Sequence, residues 1–200
     1  HIQYPKYKWK PTVVDVGCGI GAGSNIISSE ASFVWGLDKN KKSVDFAKQC
    51  FTRNRESAHN KQIYYGSPQV TFDVIDILED TREFMKFDIV VAIEVIEHLY
   101  DYRKFFQTII QKFHKKNKDG SYFLQDPTIY FISTPNRNND HINKSQPQNK
   151  YHVREWTSEE YQGVLSGFFK IVQFRNSKGE PIEGYSTNHT PLLAQCSMPI

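Results

Sequence analysis

Two hundred residues, 38% hydrophobic and 24% charged, suffice to bury a sizeable core in one domain. A formal net charge of +3 neither requires nor excludes a phosphate-bearing partner. The cysteines, Cys18, Cys50 and Cys196, are odd in number and unpatterned, which speaks against a disulfide framework or a CxxC zinc site. They point to a reducing compartment, so the expected location is cytoplasmic. No apolar run reaches membrane-spanning length, and no signal peptide opens the sequence. The chain starts at His1 without a methionine. One domain over residues 1–200, trimmed or cut from a larger protein, is the expectation.

The first strand is expected near Thr12 to Val16. It opens the most informative stretch of the chain, Val13 to Gly23, VVDVGCGIGAG. Gly17, Gly19 and Gly21 alternate through a turn after Asp15, and a helix is expected from Ser24 to Ser29. Glycine permits positive φ and lets a ligand lie against bare backbone. The helix N-terminus offers free N–H groups. The turn therefore reads as a nucleotide-type pocket. The second strand is Phe33 to Leu37, with Asp38 just beyond it. Val44, Ala47, Lys48 and Phe51 mark one face of a second helix. Asn54 to Gln69 is polar and loop-rich.

Val70 to Val74 alternates as a third strand and ends near Asp76. Phe87 to Ile93, FDIVVAI, reads as a buried fourth strand, followed directly by Glu94, Glu97 and His98. An amphipathic helix carries Tyr102, Phe105, Phe106, Ile109, Ile110 and Phe113. The basic cluster Lys112 to Lys118 reads as a solvated helix end, as does Lys39 to Lys42. Ile129 to Ser133 is the fifth strand, stopped at Pro135. Asn138 to Lys150 is a polar loop and the expected place for a substrate lid. Thr157 to Glu160 has the form of a capping box, so a helix should start there. Phe169 to Arg175 and Leu192 to Cys196 are the final strands.

Alternating strands and helices indicate an α/β fold. Ligands of such sheets sit outside the carboxyl ends of the strands. Two cofactors use a turn of this kind. Gly17, Gly19 and Ala22 satisfy the dinucleotide form G-x-G-x-x-A, with Asp38 as the downstream acid, so a nicotinamide-dependent oxidoreductase fits the turn. The pattern D-x-G-C-G-x-G, with Asp15 two residues before the first glycine, resembles motif I of the Rossmann-like S-adenosylmethionine (SAM) methyltransferases. That resemblance implies a Rossmann-like three-layer sandwich with a mostly parallel seven-stranded sheet and an antiparallel strand near the C-terminus. It also implies that Asp15, Gly17, Cys18, Gly19 and Gly21 take the amino-acid tail of SAM. Asp38 and Lys39 then lie at the ribose, Asp76 and Ile77 at the adenine, and Glu94 beside the cofactor.

The EVIEH segment is a second signal. If a helix begins at Glu94, then Glu94, Glu97 and His98 share one face. Two carboxylates and an imidazole packed together suit a divalent cation. A solvated acidic helix N-terminus accounts for the same residues. His152 lies in YHVREWTSEEY, before the capped helix. The E-x-x-E-H stretch with the later H-x-x-E-W-T resembles the metal-dependent small-RNA 3′-end 2′-O-methyltransferases. In that family two glutamates and two histidines bind one magnesium or manganese ion, which falls on Glu94, Glu97, His98 and His152. FDIVVAIEVIEHL and ISTPNRN also resemble ubiquinone-pathway O-methyltransferases and bacterial methyltransferases acting on sugars or lipid-linked substrates. The resemblance to methyltransferases covers roughly Val13 to Ser166.

The expected activity is metal-assisted O-methylation, with Glu97, His98 and His152 in catalytic roles. If His98 or His152 is not a ligand, it serves as a general base. His141 competes with His152 as a ligand, although its spacing does not match the family form. The expected acceptor is a small molecule or oligosaccharide, methylated at a sugar hydroxyl of a glycan, glycoconjugate or nucleotide-sugar. That expectation rests on the mild charge, the Asn-rich loop and the lack of an arginine-rich segment or appended RNA-binding module. The terminal ribose of a small RNA is the first alternative and a catechol-like ring the second. A non-enzymatic SAM-sensing module is a third class of answer, and it leaves the metal-type cluster unexplained.

Overall fold

The computed structural model of the chain describes residues 10–52, 69–115, 127–137, 147, 149–182 and 191–200. Their strands are β1 (Thr12–Val16), β2 (Phe33–Asp38), β3 (Gln69–Val74), β4 (Ile89–Ala92), β5 (Ile129–Thr134), β6 (Phe169–Arg175) and β7 (Leu192–Pro199). Their helices are α1 (Ala22–Ile27), α2 (Lys41–Phe51), α3 (Tyr102–Phe113) and α4 (Ser158–Ser166), with one 3₁₀ turn at Ile96–His98. The seven strands form one sheet in the order β3-β2-β1-β4-β5-β7-β6. The first five run parallel, while β7 is antiparallel to both β5 and β6. This is the three-layer, Rossmann-like arrangement expected from the sequence. The polar stretch 54–68, Lys116 to Lys118, and the loop residues Asn138, Asn139, Asp140, His141 and Asn143 lie outside the described residues.

The central strands are rich in β-branched and aromatic residues because both of their faces are covered. In β1, Val13 faces Val34, Val91 and Ala31, with Ile27 of α1 packed alongside. Val14 and Val16 join the larger core on the other face, where Phe105, Phe106 and Ile109 of α3 and Tyr161 and Leu165 of α4 pack. The α3 stripe recurs at three- and four-residue spacing, which keeps its aromatic side chains on the sheet. Side-chain caps begin three helices. Asn40 accepts from Lys42 N and Ser43 N, and Asp101 Oδ1 accepts from Lys104 N at 2.9 Å. Thr157 and Glu160 form the capping box expected from their spacing.

β1 pairs with β2 on one side and β4 on the other, so the chain leaves its carboxyl end at the switch point of the sheet. Gly17 (φ 80°) and Gly21 (φ 81°) hold the turn there in left-handed conformations. A Cβ on Gly17 would lie 2.5 Å from a Val95 methyl carbon, and one on Gly21 would lie 2.7 Å from Ala47 and Phe72. Gly21 is itself the cap of α1, so the helix starts at Ala22, two residues before the expected start.

The fold generates two predictions. A methyl group on Gly36 in β2 would lie 2.5 Å from the Phe72 ring and 3.0 Å from Cys18 Sγ. Gly36→Ala should lose about 1–3 kcal/mol, read as a lower urea midpoint with an unchanged m-value. The second concerns Asp15, whose buried carboxyl accepts from Ser24 Oγ at 2.6 Å. Burial, opposed by that bond and assisted by Asp38, raises its pKa from 3.8 to about 6. The folded state therefore binds the Asp15 proton more tightly than the unfolded chain does. The cost of ionising it is absent below about pH 4 and complete above about pH 6. Asp15→Asn should be more stable than wild type near pH 7.5, by on the order of 2 kcal/mol. Its advantage should vanish near pH 4, and equal thermal midpoints at both pH values would contradict this.

Candidate active site

The glycine turn is fastened from below and open above. Gly17 N and Cys18 N both donate to Leu37 O, at 2.7 and 3.0 Å. Gly19 N donates to Asp38 Oδ2 at 2.9 Å, and Asn40 N donates to Asp38 Oδ1 at 2.7 Å. The Asp38 carboxylate thus splints the turn to the start of α2. Each of its oxygens has a second lone pair for a hydroxyl. Gly19 sits at φ 54°, and a Cβ placed on it would meet nothing within 4 Å. Bare backbone therefore faces open space at this point of the turn. Cys18 turns its side chain toward Phe72 and α2, and burial, with Asp15 and Asp38 nearby, pushes its thiol up to about 12. It packs as a small apolar group behind the turn.

Asp76, just past β3, is exposed and its Oδ1 accepts from Leu78 N at 3.1 Å. Ile77 is buried in the main core, and Lys39 is exposed beside the turn. Asp15 lies beneath α1 rather than in the opening, held by Ser24.

The EVIEH segment departs from the helical expectation. Glu94 adopts φ 55°, outside any helix, and only Ile96–His98 form a 3₁₀ turn before α3 starts at Tyr102. The shared helical face therefore does not form. Glu94 is anchored instead to β5, where its N–H donates to Ser133 Oγ at 3.1 Å and Ser133 Oγ donates to its Oε1 at 2.8 Å.

Another arrangement gathers the remaining groups. The Glu97 carbonyl accepts from Val153 N at 2.7 Å and from Arg154 N at 3.4 Å. This docks the 149–155 segment onto the 3₁₀ turn and sets the His98 and His152 rings edge to face, 4.8 Å apart. Ligand atoms of Glu97, His98 and His152 lie within 4.8 Å of one another. Glu94 is not part of that group. His98 Nδ1 faces Tyr151 O at 3.0 Å, and His152 Nδ1 faces Glu155 Oε1 at 2.7 Å. Both Nδ1 positions are thus occupied as donors, which leaves each Nε2 with its lone pair. His152 Nε2 accepts from Asn149 Nδ2 at 2.9 Å.

Glu97 is buried. Its Oε2 accepts from Thr134 Oγ1 at 3.3 Å, while its Oε1 has no hydrogen-bond partner. His98 Nε2 stands 3.8 Å from that oxygen, too far for a hydrogen bond. Burial, with help from Glu94 and Glu155, raises the Glu97 pKa from 4.5 to about 7. An orphaned carboxylate oxygen 3.8 Å from His98 Nε2, clustered with His152, is a donor set that fits a divalent cation once Asn149 releases His152 Nε2. The Glu155 carboxylate behind His152 is the outer partner that orients such a ligand.

Ser133, Thr134, Asn149 and Glu155 hold these groups, and the sequence reading assigned none of them a role. Glu155 carried a usable signal, three residues after His152 within HVRE. The contacts of Ser133 and Thr134 arise only when β5 is placed beside β4.

A model of the methyltransferase domain matches residues 9–176. The chain is 29% identical over 153 residues to a probable S-adenosylmethionine-dependent methyltransferase of Mycolicibacterium smegmatis, covering 76% of this chain and 49% of that protein. It is 26% identical over 126 residues to the ubiquinone biosynthesis O-methyltransferase of Coxiella burnetii, covering 63% of this chain and 44% of that protein. It thus spans about half the length of these relatives. Among solved structures, the small RNA methyltransferase HEN1 superposes with a TM-score of 0.67 at 23% identity, over 92% of this chain and 23% of that one. At that identity the likeness speaks for the fold. Glycine turn, strand order and family match agree, and the chain belongs to the methyltransferase-domain family, with the class I SAM-dependent fold.

Proposed function

We propose that the chain transfers the methyl group of SAM to a sugar hydroxyl that has a neighbouring hydroxyl, with a divalent cation held by Glu97, His98 and His152. The observation that carries this reading is the buried, unpartnered Glu97 Oε1 beside two imidazoles whose Nδ1 atoms are already committed. Glu94, the fourth residue of the expected ligand set, follows directly after β4, where its carboxylate is fixed by Ser133. It completes the set if that carboxylate turns.

SAM brings a methyl group on a positively charged sulfur, which needs a nucleophile aligned with it and no covalent help from the protein. The turn from Gly17 to Gly21 offers bare backbone to its amino-acid tail. Asp38 accepts from its ribose hydroxyls, and Asp76 accepts from its adenine amine. Asp15 supports the turn from beneath through Ser24. When bound, a divalent cation supplies Lewis acidity that lowers a hydroxyl pKa near neutral pH. Around it, Glu155 fixes the orientation of His152, and the Tyr151 carbonyl fixes that of His98. Without a cation, the second reading makes His152, backed by Glu155, a general base once Asn149 releases its Nε2. That second reading predicts full activity in EDTA.

The acceptor expected from the sequence, a glycan or nucleotide-sugar hydroxyl, and its alternative, a terminal ribose of RNA, share the vicinal diol that this cluster suits. HEN1 is described as a small RNA methyltransferase, which supports the ribose alternative. The ubiquinone relative supports oxygen as the methylated atom.

Calorimetry with S-adenosylhomocysteine and NAD tests the cofactor, and binding of NAD alone would end the methyltransferase reading. Asp38→Ala should weaken S-adenosylhomocysteine binding by about 10- to 100-fold through loss of a charge-assisted acceptor. For the metal, Mn²⁺ at about 100 times its Kd should raise the thermal midpoint, and the rise should disappear in His98→Ala and His152→Ala. Equal midpoints with Mn²⁺ and with EDTA, together with undiminished methyl transfer in EDTA, would defeat the metal assignment.

A further inference from the structure

Beside the His98–His152 cluster lies a groove built from two adjoining cavities. One, of about 420 Å³, is walled by His152, Lys150, Arg137 and Arg154. The other, of about 660 Å³, lies between α3 and α4 and is lined by Arg103, Arg137, Arg154, Tyr102 and Trp156. The two share Arg137, Arg154 and Glu155, so the groove starts at a candidate metal ligand and runs outward over α4. Four cations therefore face a space that two carboxylates enter. Glu160 holds Arg137 while closing the capping box; Glu155 Oε1 faces His152 Nδ1, while its buried Oε2 has no hydrogen-bond partner.

Arg137 is paired with Glu160, whereas Arg103 and Arg154 are held in place by contacts that leave their charge unmatched. Arg154 lies 5.0 Å from the Tyr102 ring centre and 5.9 Å from that of Trp156. Its Nη2 donates to Tyr100 O at 2.8 Å, and its buried Nε has no partner. Arg103 lies 5.1 Å from the Tyr102 ring centre, and Lys150 lies 4.9 Å from that of Tyr151. Among the described residues, no carboxylate forms an ion pair with Arg103, Lys150 or Arg154. Guanidinium groups stacked on aromatic rings keep their N–H edges free, and those edges match phosphate oxygens. A neutral sugar gives no physical reason for such a concentration of charge.

We infer that this groove binds a phosphate group of the acceptor, so that the substrate is a phosphorylated sugar compound whose phosphate lies in the groove while its diol lies at Glu97, His98 and His152. The inference rests on the methyl-transfer reading of the neighbouring cluster and narrows its acceptor. Arg137 and Arg154 are the anchored members of the groove, and Arg103 and Lys150 are its exposed rim. The phosphate comes either from a nucleotide-sugar or from a nucleic-acid backbone.

Inorganic pyrophosphate is the probe, titrated by calorimetry into the full chain at low salt, with S-adenosylhomocysteine titrated in parallel. Saturable pyrophosphate binding should weaken at least about fivefold in the Arg103→Gln/Lys150→Gln double variant, and further when Arg103 is changed to Glu. S-adenosylhomocysteine affinity should stay unchanged in both variants, which also reports that they are folded. Equal pyrophosphate affinity in wild type and variants, or no saturable binding, overturns the groove while retained S-adenosylhomocysteine binding leaves methyl transfer standing. Loss of S-adenosylhomocysteine binding by the wild type sinks the underlying reading instead. In competition, UDP-glucose displacing pyrophosphate points to a nucleotide-sugar, and a diribonucleotide displacing it points to a nucleic acid. Displacement by neither overturns the inference.

Discussion

The Glu97 carbonyl joins the two parts of the chain that make the candidate site. It belongs to a 3₁₀ turn just past β4, and it accepts from Val153 N, more than fifty residues later. Together with the bonds from His98 Nδ1 to Tyr151 O and from Arg154 Nη2 to Tyr100 O, that bond fixes His152 relative to His98. With it, one residue contributes a backbone acceptor to the docking segment and a buried carboxylate to the cluster. Glu155 and Tyr151 then set the two imidazoles, so ring orientation follows from the same docking event.

The site concentrates negative charge at the carboxyl ends of the strands. Asp15 and Glu97 are both buried, and burial raises both pKa values, to about 6 and about 7. Such groups reduce the stability of the empty protein, because their ionised forms lose water without gaining a full set of partners. A cofactor with a cationic sulfur and a divalent metal ion are the ligands that would compensate. Protein families retain strained or underpartnered groups of this kind where ligands bind. The groove beyond His152 has the opposite sign, with three arginines and a lysine. The two signs meet at Glu155, which is shared by the cluster and the groove.

Rigidity supports this chemistry from behind. The glycine turn is pinned by Leu37 and Asp38 and crowded by Val95, Ala47 and Phe72. Gly19 is the point of the turn left open. The turn is thus positioned by the packing of β2, β3 and α2, so the surface proposed for the cofactor is preformed.

Much of the fold could be read from the residues because its signals are local. The apolar runs of β1, β2, β4 and β5, the alternation of β3, the α3 stripe and the Thr157–Glu160 box each follow from residue pattern or capping within a few residues. The glycine turn and Asp38 were legible for the same reason, since their spacing is set by one strand–turn–helix unit. The arrangement of EVIEH was not. Helical spacing gives Glu94 and His98 a common face, whereas the left-handed backbone at Glu94 sends its carboxylate to Ser133 on the neighbouring strand. The pairing of His98 with His152, the support of Glu155 and the arginine groove depend on which strands lie side by side and on long-range hydrogen bonds. Residue types and local spacing carry the helices, strands and caps. Contacts between segments far apart in sequence are decided only when the sheet assembles, because only then do burial and hydrogen bonding select among the local possibilities.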